Sequence, residues 1–363
     1  MNRILALCSP GEVRVAVMVG EALTEYLIWR PGRPDGVGDV YRGRVTAHVA
    51  PLAGAFVSLP DADGFLPDSE GGSGAVEGAA ITVRITRAAQ GGKGPRLSAK
   101  LPQSPGSPGL VARGPGAVEE CAARYPDLPV FADDPAVVAL LRPRLGDRIT
   151  AARDLMDGAL AELIEALAST DVTLPSGMRA SFHPTPALVA IDLDTAGATP
   201  GRQPKAPAQL AANRAALPEL ARQIRLRNLS GAILLDLAGL SPKRRRELGP
   251  DIIAALAADP LRPRLIGFTG LGLAEILRPR IHPPLHELLA GPHAAGLAAL
   301  REIAREAEAA PHLAFRLRAA PDVVDALGRD LVAGADLARR TGRPLIPVPD
   351  PKLPSCGWRI EQD

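Results

Sequence analysis

The hydrophobic pattern changes period along the chain, and the changes divide it. Up to residue 100 the period is two. Arg3-Ile4-Leu5-Ala6-Leu7, Val13-Arg14-Val15-Ala16-Val17 and Leu23-Thr24-Glu25-Tyr26-Leu27-Ile28, parted by Gly11 and Gly20, predict a three-stranded antiparallel meander. Five short alternating runs with Gly-rich turns follow between residues 37 and 100 and predict a small Greek-key barrel. Residues 101–116 are rich in Pro, Gly and Ser and read as a linker. Helical spacing then appears over 134–170 (Leu155, Ala159, Leu160, Leu163, Leu167), and strand signals return at 172–174, 178–182 and 187–191. A helix is predicted over 208–228 and a strand over 231–237. Ser241-Pro242 opens the next helix, since Ser caps and Pro fits a first turn. A strand at 264–268 and an alternation of helices and strands from 295 to 361 complete a small α+β tail.

Two of these strands end in carboxylates. Ala187-Leu188-Val189-Ala190-Ile191-Asp192-Leu193-Asp194 and Ala232-Ile233-Leu234-Leu235-Asp236 are apolar runs that give way at once to turn residues. A buried strand ending in Asp delivers the charge to the rim of a sheet, where it must be solvated, paired or bound to a cation. If the strands are neighbours, Asp192 and Asp236 come side by side, and a divalent cation relieves their repulsion. The plainer alternative is that each Asp caps its own strand end.

Composition narrows the classes. An apolar share of 46% over 363 residues supports a core divided among two or three domains. The formal charge of +2 leaves any nucleic-acid contact to local patches. Cys8, Cys121 and Cys356 are far apart and odd in number, without a CxxC pair, which predicts neither a disulfide framework nor a zinc knuckle. The N-terminus lacks a signal-peptide pattern and no apolar stretch reaches a membrane span. The expectation is a soluble cytoplasmic protein with no membrane partner.

The chain resembles the catalytic half of the ribonuclease E/G family. Gly38-Asp39-Val40-Tyr41-Arg42-Gly43-Arg44-Val45, Ala55-Phe56-Val57, Gly64-Phe65-Leu66-Pro67 and Gly92-Lys93-Gly94-Pro95-Arg96-Leu97 carry the resemblance in the barrel. Asn213 with Ala221-Arg222-Gln223-Ile224-Arg225-Leu226-Arg227-Asn228-Leu229-Ser230-Gly231 carries it before the second acidic strand, and Gly357-Trp358-Arg359-Ile360 at the end. The resemblance implies an α+β multidomain protein with an RNase-H-like region (1–36 and 149–185) interrupted by an OB-fold RNA-binding barrel of the ribosomal-protein S-one type (37–100). It further implies a reduced sensor region or linker (101–148), a DNase-I-like catalytic subdomain (186–290) and a small C-terminal α+β domain (291–363).

It also implies roles. Asp192, Asp236 and Asp194 would form the catalytic metal site for Mg²⁺, with Mn²⁺ as the alternative; Asp194 stands where the family has Asn. Phe56 and Phe65, with Tyr41 and Lys93, would hold single-stranded RNA, and the alternative is that a Phe fills the barrel core. Arg222, Arg225, Arg227, Lys243 and Arg244, within a basic run extending to Arg246, would neutralise phosphates or form a solvated helix face. Arg113 matches a residue that senses a 5′ end, although Gly114 replaces its Thr neighbour.

Departures from the family pattern are also visible. The zinc link is absent after Leu285, so no structural zinc is expected, and His286 and His293 are expected at the surface. Gly197, Ala215 and Gly239 replace Arg, Glu and Asp, and Phe268 and Leu271 replace basic residues near Glu275. The implied activity is metal-dependent endonucleolytic cleavage of single-stranded RNA in rRNA or tRNA processing or mRNA decay, leaving 5′-phosphate and 3′-hydroxyl ends. The alternative is an RNA-binding or ribosome-associated factor with a weakened site. The oligomeric state is left open by the sequence, a homodimer through the C-terminal domain being the one assembly that the resemblance suggests.

Overall fold

In the computed structural model, which describes residues 2–195 and 205–362, the chain forms two compact units, Met1–Asp157 with His286–Asp363 and Gly158–Leu285. In the first unit, β1 (Arg3–Ser9), β2 (Glu12–Val19) and β3 (Ala22–Trp29) form the antiparallel meander. Ile4, Ala6, Val13, Val15 and Val17 enter its core, as the two-residue period requires.

The chain then leaves this sheet for the barrel. Strands β4 (Val40–Val49), β5 (Gly54–Ser58), β6 (Asp63–Pro67), β7 (Ala80–Arg87) and β8 (Arg96–Ser98) run in the order β5-β6-β8-β7-β4, and pairing of β4 with β5 closes the ring. The closed five-stranded barrel is consistent with an OB-fold. Tyr41, Val45, Ala55, Val57, Leu66, Val83, Ile85 and Leu97 fill it. A sixth strand, β9 (Gly109–Ala112), pairs outside β4.

The stretch from 101 to 148, in which the sequence suggested a reduced sensor or linker, holds α1 (Ala117–Arg124), β10 (Val130–Ala132) and α2 (Pro135–Leu145) as well as β9. β10 pairs in parallel with β1, and β11 (Ile149–Ala151) with β10, so the first sheet has the order β11-β10-β1-β2-β3. Asp134 caps α2 by accepting from the Ala136 amide at 2.8 Å.

The second unit is one six-stranded sheet with helices on one face. Helix α3 (Gly158–Ala166) precedes β12 (Asp171–Leu174), β13 (Met178–Pro184) and β14 (Val189–Thr195). Helix α4 (Lys205–Leu226) leads to β15 (Gly231–Asp236), which is followed by α5 (Pro242–Glu247), α6 (Gly249–Leu256), β16 (Arg264–Phe268) and β17 (Ala274–Arg278). The order is β12-β13-β14-β15-β17-β16; β14 and β15 are parallel and the other neighbours antiparallel. Phe182, Ile191, Leu193, Ile233, Leu235 and Ile276 face Leu217, Leu220 and Ile224 of α4 and Ile252 and Leu256 of α6. By alternation, the other face carries Arg179, Ser181, His183, Asp192, Asp194, Asp236 and Glu275.

A one-turn helix α7 (Leu285–Leu288) precedes the C-terminal part of the first unit. There α8 (Gly291–Ala309), α9 (Pro321–Gly328) and α10 (Leu331–Thr341) pack on a three-stranded sheet of β18 (Phe315–Ala319), β19 (Val348–Pro349) and β20 (Trp358–Gln362). No helix of the described residues is long and apolar enough to cross a membrane.

Candidate nuclease site

The register of β14 on β15 places Asp192 opposite Asp236. Partners in a parallel pair project to the same face, and adjacent strands lie about 4.8 Å apart. The two carboxylates are therefore neighbours on the face of the sheet away from its core. Asp192 is exposed, and no hydrogen bond or ion pair engages its side chain among the described residues.

The turn after Asp236 is fixed from beneath. Buried Asn213 on α4 donates to the Ala238 carbonyl at 3.1 Å and to the Gln209 carbonyl at 2.7 Å, and accepts from the Ala238 amide at 3.1 Å. One amide side chain thus meets both polar groups of a residue two positions beyond Asp236. Gly239 follows at φ +59°, where a Cβ would collide with the Gln209 side chain.

Asp236 has a neighbour that the sequence did not announce. The Arg245 guanidinium on α5 lies 2.6 Å from Asp236 Oδ1, while its Nε donates to the Leu240 carbonyl at 2.9 Å. The contact is an ion pair without hydrogen-bond alignment, since Oδ1 is buried and lacks a hydrogen-bond partner. Ser241 caps α5 through the Arg244 amide at 3.5 Å, and this helix turn carries Arg245 back over the end of β15.

Asp194 lies two residues beyond Asp192 on the same face, about 6.6 Å along the strand. Its Oδ1 accepts from the Thr195 amide at 2.7 Å. The described residues contain no group of three or more His, Cys, Asp or Glu side chains able to hold a metal ion. Asp194 thus stands one pleat farther along the same face than the Asp192–Asp236 pair. Asp192 and Asp236 fit a divalent cation: both are hard oxygen donors, adjacent on one face, and one of the oxygens is buried without a hydrogen bond.

The basic residues divide. Lys243 and Arg246 are exposed, and Arg244 is half-buried. Arg222 forms a two-point ion pair with Glu219 on its own helix, at 2.7 and 2.8 Å, and Arg225 donates to the Ala258 carbonyl at 2.8 Å. Arg227 departs most from expectation. It is 4% exposed, lies 4.9 Å from the Phe182 ring centre and donates to the carbonyls of Ala166 (3.0 Å) and Ser169 (3.1 Å). Burial pushes its pKa down to about 10. Arg227 lies just past α4, so the chain turns it under α3 instead of toward solvent.

In the barrel, Phe56 and Phe65 are register partners on β5 and β6, half-buried, with both neighbours of each turned inward. Gly54 leaves the room that Phe65 needs; a Cβ there would lie 2.5 Å from the ring. Arg96, unassigned in the sequence reading, stands beside Phe65 in the β6–β8 register, and Lys93 is exposed in the preceding turn. Tyr41 does not join this surface. It belongs to the barrel core, and burial together with Asp39 raises its pKa. Its even-odd position puts it in line with Val45, not with the outward-facing row. Arg113 lies 2.6 Å from buried Asp39, which also accepts from the Gly114 amide at 2.7 Å. The residue expected at a 5′ end thus neutralises a carboxylate of the barrel.

His293 is mostly buried instead of at the surface; its Nε2 lies 2.8 Å from Asp330, which caps α10 through the Ala333 amide at 3.0 Å. His286 is exposed, as the sequence suggests, and desolvation by its surroundings lowers its pKa. Gly197 lies outside the described residues.

A carboxylate pair at the ends of parallel strands, in an α+β chain that also carries a closed barrel with surface aromatics, defines the class of protein to compare. Residues 137–281 match the Ribonuclease E/G family, and the chain is a relative of that family through this stretch. The stretch includes Asp192, Asn213, Asp236 and Arg245. Ribonuclease E of Haemophilus influenzae is 37% identical over 125 residues, 34% of this chain and 13% of that protein. Ribonuclease E of Escherichia coli (strain K12) is 36% identical over 125 residues, 34% of this chain and 12% of that protein. Ribonuclease G of Escherichia coli (strain K12) is 30% identical over 170 residues, 43% of this chain and 35% of that protein. The chain thus matches about an eighth of the length of ribonuclease E and about a third of ribonuclease G.

Proposed function

We propose that this protein is an endoribonuclease that cleaves single-stranded RNA at the carboxylate pair Asp192–Asp236. The observation that carries the proposal is the in-register pairing of these residues on one sheet face, inside the stretch related to ribonucleases E and G. Asp192 and Asp236 would hold Mg²⁺ or Mn²⁺, which supplies a water nucleophile and offsets phosphate charge, leaving 5′-phosphate and 3′-hydroxyl ends. Asn213 holds the turn that orients Asp236, while Lys243 and Arg246 offer exposed positive charge to a phosphate backbone. Phe56 and Phe65 stack unpaired bases, with Lys93 and Arg96 for nearby phosphates. We read the five-stranded sheet as the RNase-H-like region and the six-stranded sheet as the DNase-I-like subdomain. The cellular tasks that fit are processing of structural RNA or decay of mRNA in the cytoplasm, by a homodimer joined through residues 291–363.

The second reading is an RNA-binding or ribosome-associated factor with a weakened nuclease site. The ion pair of Arg245 with Asp236 favours it, because a guanidinium already neutralises one carboxylate of the pair. Cleavage of labelled unpaired RNA by purified protein, with and without Mg²⁺, separates the two readings. Cation-dependent cleavage lost in Asp192→Asn supports the enzyme; tight binding without cleavage supports the factor.

A further inference from the structure

We infer that Arg245 is a built-in competitor for the cation at Asp236, so that divalent ions enter this site only by displacing its guanidinium. The inference rests on the carboxylate-pair reading above and adds a device that sets its affinity. The guanidinium is tethered at one end, where Nε donates to the Leu240 carbonyl at 2.9 Å, and applied at the other, where a terminal nitrogen lies 2.6 Å from Asp236 Oδ1. The Arg245 side chain is only 15% exposed, whereas that of Asp236 is 45% exposed. The pair is thus open on the carboxylate side and closed on the arginine side.

The position suits competition better than support. A guanidinium that supported Asp236 as a fixed ligand would be aligned to hydrogen-bond it, and here Oδ1 has close positive charge without that alignment. Asp192, opposite in the register, has no such partner among the described residues, so one carboxylate of the pair is open and the other is occupied. A divalent ion between them must take over the charge compensation that Arg245 supplies to Asp236. Arg245 moved aside remains tethered to Leu240 beside the site, with Lys243 and Arg246 exposed on the same short helix. Cation entry and exposure of a further positive charge to RNA are then one event.

The test is Mn²⁺ binding to the full chain without RNA, followed by loss of the free-ion electron paramagnetic resonance signal. Wild type, Arg245→Gln, Arg245→Lys and Asp192→Asn are compared, with thermal melts confirming that each is folded. Removing the competing charge in Arg245→Gln lowers the Mn²⁺ dissociation constant by about two- to fivefold, the range expected for loss of a half-exposed ion pair. Arg245→Lys, which keeps the charge but loses the fork and its tether, falls between the two. Asp192→Asn abolishes this component of binding. Equal affinity in wild type and folded Arg245→Gln, or weaker affinity in the variant, overturns the competition and leaves the cation site standing. Absence of any component sensitive to Asp192→Asn overturns the cation site itself and the competition with it.

Discussion

Phe56 and Phe65 face each other across the β5–β6 ladder with ring centres 5.5 Å apart and planes inclined at 63°. The edge-on pair leaves ring surface available on the outside of the barrel, while Ala55, Val57 and Leu66 fill the inside. Phe65→Ala is therefore expected to weaken binding of unpaired RNA by about 1–3 kcal/mol per base lost. The accompanying loss of stability is about 1 kcal/mol from the aromatic pair, added to that from the buried part of the ring. Fluorescence anisotropy with labelled oligonucleotides measures the first and thermal denaturation the second. Unchanged affinity in the folded variant contradicts a stacking role.

Asn213 makes the turn after Asp236 dependent on one buried amide. Asn213→Ala leaves the polar groups of Ala238 without their partner, and the expected loss is about 1–3 kcal/mol for each buried group left unsatisfied. Because that turn holds Asp236, cleavage should fall more than the loss of folded protein explains. A rate that follows only the folded fraction in a urea titration contradicts the positioning role.

The pattern of residues made some of this legible and concealed the rest. The acidic strands could be read because an apolar run ending in Asp has few other places in a sheet; their parallel adjacency closes only through α4 and the register. The outward set of Phe56 and Phe65 follows from alternation, and the same rule applied to Tyr41 puts it inside. β10 and β11 are three residues each, too short to show a period, and the pairing of β10 with β1 spans more than 120 residues. Arg227 and Arg245 each sit in a run of basic residues that looks solvent-facing. Only the path of the backbone around each shows that one is buried under α3 and the other turned onto Asp236.

The meander contains a second carboxylate surrounded by arginines. Glu12 is 1% exposed and accepts from Arg14 at 2.9 Å, Arg30 at 2.9 and 3.0 Å and Arg301 at 2.8 Å. Burial alone would raise its pKa, but the three guanidinium groups hold it below its ordinary value of 4.5. A depressed carboxylate stabilises the fold fully above the unfolded value and loses that contribution as pH falls through the lower folded value. Stability measured by circular dichroism should therefore decline below about pH 4.5. Glu12→Gln should lower stability at pH 7 by about 3–5 kcal/mol and remove this part of the acid decline. An acid profile identical to wild type contradicts the assignment.

The central claim is that Asp192 and Asp236 act as one site. The most direct measurement is the cleavage rate of a 5′-labelled unpaired RNA by the purified full chain at saturating Mg²⁺, for wild type, Asp192→Asn and Asp236→Asn. The account predicts that either substitution lowers the rate by about 100-fold or more, from loss of several kcal/mol of charge stabilisation, while RNA affinity stays within a few-fold of wild type. Equal cleavage by wild type and both folded variants, or no cation-dependent cleavage by wild type on any unpaired RNA, contradicts it.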